Sequence, residues 1–175
     1  KTGLGFGLYG TPAESLAGRF AEIDRSKFGD IEGITDKGFY TNSYHVFVGE
    51  HISAFDKLKF ESQFQEISTG GCISYIEIPN MFHNMIALNH LTTFIYDNIM
   101  YGEFNTKSDF CHVCNYEGEM NMNEEYKWVC PNCKNDDFSK MNVVRRTCGY
   151  LGENDFSIGR KKDILNRVIH TENCM

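Results

Sequence analysis

Four of the seven cysteines in this 175-residue chain form two CxxC pairs. Cys111 pairs with Cys114 and Cys130 with Cys133, and fifteen residues separate the two pairs. This spacing is typical of a ribbon in which four thiolates bind one zinc ion in a tetrahedron. Four protein ligands leave no open position for a substrate, so we expect a structural zinc site. Buried or disulfide-bonded cysteines are the alternative, and the odd count with this pairing favours metal binding in a reducing, cytoplasmic compartment.

A second candidate for chemistry is Gly149 in the stretch RRTCGYLG, residues 145–152. Its structural interpretation is a turn in which glycine supplies a positive φ. Its chemical interpretation is a backbone radical, because a glycine Cα carries no side chain that would twist the flanking amides out of the plane over which the spin spreads. Such a radical has to be buried away from oxygen and water. The residues alone leave both interpretations open.

The charge of the chain argues against nucleic acid and membrane surfaces as partners. The formal net charge is −7 and the isoelectric point about 5.3, and an acidic field repels phosphates. Residues 103–140, which hold the four paired cysteines, contain eight acidic and four basic residues. No apolar run approaches the ~20 residues of a membrane-spanning helix.

The elements that must position these residues alternate between helix and strand, which predicts an α/β fold. The predicted helices start near Thr11 and cover 53–67, 84–100 and 160–170, and the predicted strands cover 40–49 and 72–79. Ser53 is the expected N-cap of the helix at 53–67. The helix at 84–100 carries an apolar stripe of Leu88, Leu91, Ile95 and Ile99. Residues 141–159 are predicted to be loop, and the basic helix 160–170 to present an exposed face. For Arg145 and Arg146 three roles stay open: holding the glycine loop, pairing with a carboxylate, or lying solvated on the surface.

The composition changes near residue 103, where aliphatic residues become scarce. A segment with so few apolar residues needs metal to supply its folding energy. We therefore predict three parts: an α/β part at 1–102, a zinc ribbon at 103–140, and a loop with a tail at 141–175.

Gly149 follows Cys133 by sixteen residues, and the chain also contains YGTPAESLAGRF and DKGFYTNSYHV. In this combination the sequence resembles the C-terminal end of the large subunit of anaerobic (class III) ribonucleoside-triphosphate reductases, which are glycyl radical enzymes. The resemblance implies that residues 1–102 are the C-terminal part of a ten-stranded α/β barrel. It also implies that Gly149 stores the glycyl radical and that the four paired cysteines bind zinc.

The resemblance further implies the partners of such a chain. An activating enzyme with an iron–sulfur cluster uses S-adenosylmethionine to remove the glycine hydrogen, and the stored radical then forms a thiyl radical on a barrel cysteine. Ribonucleoside triphosphates are reduced to deoxyribonucleoside triphosphates, formate commonly supplies the electrons, and the complete enzyme is usually a homodimer. The thiyl cysteine belongs to an N-terminal portion upstream of residue 1, so we expect this chain to be inactive without that portion.

The glycine-rich start and the helix after Gly10 offer free backbone N–H groups, which is a potential anion site. By the resemblance, the amides around Thr11, Ala13, Glu14 and Ser15 are expected to hold nucleotide phosphates. Glu14 has two open roles. It occupies the third helical position expected of a capping box, and by the resemblance it matches a glutamate that relays a proton near the ribose.

Two alternatives lack catalysis of their own. One is a spare-part protein that replaces a damaged glycyl domain in another radical enzyme. The other is a zinc-ribbon module that only binds partners.

Overall fold

The computed structural model describes residues 3–10, 16–146, 151–153 and 156–170, and its helices and short strands confirm the α/β class. The helices are α1 (Leu16–Phe28), α2 (Ala54–Gln65), α3 (Met85–Asn98) and α4 (Ile158–Asn166). The strands are β1 (Ser74–Glu77), β2 (Gly102–Asn105), β3 (Asp109–Cys111), β4 (Tyr116–Gly118), β5 (Asn121–Met122), β6 (Trp128–Val129), β7 (Met141–Asn142), β8 (Val144–Arg146) and β9 (Leu151–Glu153). Among the described helices, none is both long and apolar enough to cross a bilayer.

The first core surrounds a β1–α3–β2 unit. Strands β1 and β2 pair in parallel, with Glu77 opposite Asn105, and α3 is the crossover that parallel strands require. Asn84 caps α3 by accepting a hydrogen bond from the amide of Ala87. The buried core residues are Ala54, Leu58, Ile76, Ile78, Leu91 and Ile99. The predicted apolar stripe of α3 packs into this core.

The predicted helix at 53–67 is confirmed as α2. The Ser53 hydroxyl accepts the Asp56 amide at 3.1 Å, which is the expected N-cap. The Ala54 amide donates to the carbonyl of His170 at 2.8 Å. The start of α2 is therefore tied to the segment after α4.

The second core lies in the cysteine-rich segment. Strand β3 pairs antiparallel with both β4 and β7, and β5 pairs with β6. The buried members are Cys111, Met120, Trp128, Cys130, Met141, Val143, Phe156 and Ile164. Residues before β7 supply only half of this set, so the ribbon is completed by β7, β8 and α4.

Helices α1 and α4 touch at two glycines. A Cβ added to Gly18 would lie 2.8 Å from the Cα of Gly159, closer than any side chain tolerates. The absence of side chains at both positions lets the two helix backbones approach directly.

The predicted strand at 40–49 is wrong. Ser43 has a φ of 48°, and backbone hydrogen bonds from His45 to Asn42 and from Glu50 to Phe47 close turns in this segment. The Val46 amide donates to the buried carboxylate of Glu61 at 3.0 Å rather than to a strand. Asn and Ser favour turns in this way, and that preference outweighs the β-branched residues of the segment.

The prediction of a loop at 141–159 is also wrong, because β7, β8 and β9 lie there. Strand β7 pairs with β3, which is distant in sequence, and β8 pairs with β9 across the glycine motif. Helix α4 begins at Ile158, and Ser157 is its N-cap. The helix was expected to present an exposed basic face, but Arg160, Asp163 and Arg167 are buried. Carboxylates pair with the buried positive charges of the two arginines. The periodicity of a helical sequence does not reveal such partners.

Candidate metal centre and glycine strand

The fold brings the four paired cysteines together. Their sulfur atoms all lie within 4.8 Å of one another. The Sγ atoms of Cys111 and Cys133 are 3.7 Å apart, and those of Cys114 and Cys130 are 3.6 Å apart. A disulfide would require about 2.0 Å, so these are four separate thiols.

Each CxxC pair forms a tight turn that ends in a left-handed residue. Asn115 follows the first pair with a φ of 56°, and Lys134 follows the second with a φ of 62°. The Lys134 amide donates to the carbonyl of Cys130 at 3.0 Å, and the Cys130 amide donates to the carbonyl of Asn135 at 2.9 Å. Non-glycine residues adopt this conformation at a cost, so the turns hold the sulfurs in place at some expense in backbone energy.

The electrostatics of the four thiols favour a bound cation. Desolvation raises the pKa of Cys114, but hydrogen bonds from Asn132, the neighbouring sulfurs and the Tyr116 backbone outweigh it and lower that pKa to about 6. A backbone hydrogen bond at Asn135 lowers the pKa of Cys133, but desolvation and the three neighbouring thiols raise it to about 12. One thiolate therefore opposes ionisation of the next, and a dication would remove that opposition.

The geometry and the donor chemistry both fit zinc. Zn–S bonds of about 2.3 Å in a tetrahedron place the sulfurs about 3.8 Å apart, close to the separations of 3.7 Å and 3.6 Å given above. Thiolates are soft ligands, and four of them in a tetrahedral array select zinc or iron. With all four positions held by protein, such a centre would be structural.

A buried ion pair ties the cysteine site to the glycine motif. Arg145 of β8 pairs with both carboxylate oxygens of Asp109, which lies two residues before Cys111, and its Nη2 is 2.6 Å from Oδ2. The same Oδ2 accepts the amide of Met120 at 2.8 Å. The guanidinium also lies over the Trp128 ring, 5.1 Å from its centroid. Of the three roles open for Arg145, the structure selects pairing with a carboxylate.

The next residue, Arg146, contacts the parallel sheet instead. Its side chain pairs with Glu103 of β2. Its carbonyl accepts a hydrogen bond from Nη1 of Arg167 at 2.8 Å. Nη1 of Arg167 also lies 3.0 Å from Oε1 of Glu77, at the end of β1. Strand β8 thus lies between the cysteine-rich core and the β1–β2 sheet, with successive arginines paired on each side.

Strands β8 and β9 bracket the glycine. Arg146 pairs with Leu151 in an antiparallel register, and residues 147–150 connect the two. Gly149 lies in that connection, outside the described residues. The predicted phosphate-contacting residues Thr11, Ala13, Glu14 and Ser15 also lie outside them, so these predictions stay predictions.

Sequence reasoning missed the acidic partners Glu77, Glu103 and Asp109. A signal existed for Glu77, because an acid inside the apolar run CISYIEIP implies a buried partner. Asp109 carried no comparable signal, because it follows the polar residues 106–108 and does not interrupt an apolar run.

Comparison with known proteins agrees with this arrangement. The family model for anaerobic ribonucleoside-triphosphate reductase matches residues 1–170. A protein of that name from Haemophilus influenzae is 44% identical over 97% of this chain and 24% of its own length. The protein of that name from Enterobacteria phage T4 is 43% identical over 97% of this chain and 28% of its own length.

A solved structure of an anaerobic ribonucleotide reductase matches 95% of this chain and 25% of that chain, with a TM-score of 0.67 at 24% identity. This likeness concerns the fold alone. The chain spans about a quarter of the length of the curated relatives it matches. Since the family model covers nearly all of its residues, the chain belongs to the anaerobic ribonucleoside-triphosphate reductase family.

Proposed function

We propose that this chain is the radical-bearing C-terminal portion of a reductase that converts ribonucleoside triphosphates to deoxyribonucleoside triphosphates. The observation that carries the proposal is the position of β8 and β9. They flank Gly149 in sequence, and Arg145 and Arg146 hold β8 between the cysteine site and the parallel sheet.

In this proposal Gly149 stores the radical, and an iron–sulfur activating enzyme that uses S-adenosylmethionine installs it. The radical then passes to a cysteine of an N-terminal portion that completes a ten-stranded barrel with residues 1–102. Formate is the proposed reductant, and a cytoplasmic homodimer is the proposed assembly. Residues 141–175 form the proposed glycyl loop and tail.

Zinc is the proposed metal of the ribbon, residues 103–140. Cys111, Cys114, Cys130 and Cys133 would hold it, and the ion would supply folding energy rather than a reaction step. The separations of the four sulfurs support this assignment. The resulting rigid ribbon supports β8 through Asp109 and Arg145.

The amides around Thr11, Ala13, Glu14 and Ser15 are the proposed contacts to substrate phosphates, at the N-terminal side of α1. The physical basis is the set of unpaired N–H groups at any helix start. Glu14 is proposed to act near the ribose as a proton relay, with capping of the helix as its competing role.

The test of the proposed function is to replace Gly149. The protein is combined without oxygen with its N-terminal portion, the activating enzyme, S-adenosylmethionine and a reductant. We expect a doublet in the electron paramagnetic resonance spectrum, deoxynucleotide formation, and chain cleavage at residue 149 on exposure to air. Gly149→Ala should lose all three, because a methyl group prevents the planar, delocalised radical.

Zinc content separates loss of the radical from loss of the fold, since Gly149→Ala should retain its metal. Unaltered deoxynucleotide synthesis in Gly149→Ala would refute the proposed function. A protein that only binds partners would give neither the doublet nor the cleavage.

A further inference from the structure

The carbonyl of Arg146 is the last described backbone acceptor before Gly149, and a side chain from α4's C-terminal side holds it. The Nη1 atom of Arg167 donates to this oxygen at 2.8 Å. Residue 146 precedes the glycine by three residues, and an extended chain spans at most about 3.6 Å per residue. The contact therefore fixes the described end of β8, from which at most about 11 Å of extended chain leads to the Gly149 Cα.

The guanidinium of Arg167 is itself fixed from three sides. Its Nε donates to Asp163 at 3.0 Å, and its Nη1 lies 3.0 Å from Oε1 of Glu77. The face of Tyr75 lies 5.4 Å below it. The flanking carboxylates raise the pKa of Arg167 even though burial opposes its charge, so this side chain is a permanent cation in a fixed orientation.

The carboxylate of Glu77 is in turn oriented by the sheet. Its Oε1 accepts a hydrogen bond from Nδ2 of Asn105, the residue opposite it in the β1–β2 register, at 2.6 Å. The Glu77 backbone amide donates to Nδ1 of His170, also at the C-terminal side of α4, at 2.9 Å. A continuous set of buried and half-buried hydrogen bonds thus runs from the end of the parallel sheet to the backbone three residues before the glycine.

We propose that Arg167 is a positioning residue for Gly149: it fixes the end of β8, the strand that leads to Gly149, relative to β1. This inference rests on the proposed function, because it gives Gly149 the role of radical carrier. A planar fork that bonds a carboxylate and a carbonyl at once suits this task, and a lysine ammonium with one point of contact suits it less.

The test measures the radical, the product and the backbone separately. Arg167→Met and Arg167→Lys are assembled and activated as the unchanged protein is. We expect zinc content and spins per chain within about twofold of the unchanged protein, and product formed per spin lower by about 10- to 100-fold in Arg167→Met, the loss typical of a misplaced reacting group. Arg167→Lys should recover part of this loss, because one hydrogen bond can form again.

Lys161→Met is the matched control. It removes one positive charge from α4, the helix that Arg167 follows, and among the described residues no hydrogen bond or ion pair joins its side chain to Arg146. Product per spin should stay unchanged in this variant. An equal loss in Lys161→Met, or an unchanged product per spin in Arg167→Met, would overturn the proposal.

Amide hydrogen exchange gives a readout that needs no radical. Peptides spanning 144–153 should exchange at least about tenfold faster in Arg167→Met, as locally opened strands do, whereas peptides of the cysteine ribbon should not change. Unchanged exchange at 144–153 in Arg167→Met would overturn the positioning role. If Arg167→Met does not fold, the same measurement on Arg167→Lys decides. If the unchanged protein gives no doublet but exchange still responds to Arg167, the proposed function fails and the positioning contact stands.

Discussion

At the residue scale, the four thiols show how a metal site is prepared by backbone geometry. The two left-handed residues, Asn115 and Lys134, end the CxxC turns so that the sulfurs converge. Convergence is unfavourable for thiolates alone, because each negative charge opposes the next. A bound cation would offset this repulsion.

Replacing one cysteine tests whether the site binds such a cation. Cys130→Ser should lose stoichiometric metal, because a serine hydroxyl is not a thiolate donor and three sulfurs leave the shell open. Elemental analysis of the purified protein measures the change. Cys72→Ser is the control, since Cys72 is a half-buried thiol outside the cluster, and it should keep one zinc per chain. Full zinc retention in Cys130→Ser would contradict the assignment of the ligands.

His170 is a buried residue whose protonation state couples to folding. Burial lowers its pKa to about 4, helped by the nearby charges of Lys57 and Arg167 and opposed by that of Glu61. Its Nδ1 accepts the Glu77 amide at 2.9 Å, which requires a neutral ring. The unfolded chain takes up this proton below about pH 6.5 and the folded chain does not.

The stability contributed by neutral His170 is therefore fully present above about pH 6.5 and is lost as the pH falls towards 4. A pKa difference of one corresponds to about 1.4 kcal/mol, so the total effect is at most about 3.5 kcal/mol. Denaturant unfolding at several pH values should show that His170→Gln removes this part of the acid sensitivity. Parallel pH profiles for the two proteins would contradict the prediction.

At the scale of elements, β8 is the strand on which the arrangement depends. Its two arginines alternate, as side chains of a strand must, so Arg145 contacts the cysteine-rich core and Arg146 contacts the β1–β2 sheet. A short strand with this pattern connects two cores without a large apolar interface. The buried Asp109–Arg145 pair is the part of this connection with the least access to water.

Removing the charge of one partner of that pair should lower the free energy of unfolding. Asp109→Asn keeps an acceptor for the Met120 amide but leaves Arg145 as an uncompensated buried charge, a change that typically costs about 3–5 kcal/mol. Denaturant unfolding of the zinc-loaded protein measures it. Glu125→Gln, which breaks the exposed pair with Lys127, should have no measurable effect. Equal stability of the two variants would contradict the role given to Asp109.

At the scale of the whole molecule, the described residues form two buried cores with different compositions. One is the aliphatic core around β1, α2 and α3. The other contains two of the four clustered cysteines and the only tryptophan of the sequence, Trp128. Few aliphatic residues line the second core, so we expect metal binding and its contacts with α4 to supply much of its folding energy.

Removal of metal should therefore unfold one core before the other. With a zinc chelator, we expect the emission of Trp128 to shift to longer wavelength as the ring becomes solvated, while most of the helical circular dichroism remains, because α2 and α3 pack in the aliphatic core. Cys130→Ser should show the same emission without chelator. A parallel loss of both signals would indicate a single cooperative unit and contradict the prediction.

Local patterns in the sequence predicted the elements and residues whose chemistry depends on near neighbours. The CxxC spacing predicted that the four paired cysteines converge, Ser53 predicted the start of α2, and the period of apolar residues predicted the buried face of α3. These succeed because turns, caps and helical faces are formed by residues within a few positions of each other. The same local evidence wrongly predicted a strand at 40–49, where turns and the buried Glu61 determine the backbone.

Only the tertiary structure decided the partners of the buried charges. Arg145 meets Asp109 across 36 residues, and Arg167 meets Glu77 across 90. The sequence alone does not show whether an arginine side chain contacts solvent, a carboxylate or a carbonyl, because the energy of its charge depends on the groups that the fold places next to it. The sequence by itself determined the cysteine cluster and the glycine motif, and the long-range pairing of strands and helices determined how the strand that leads to Gly149 is held.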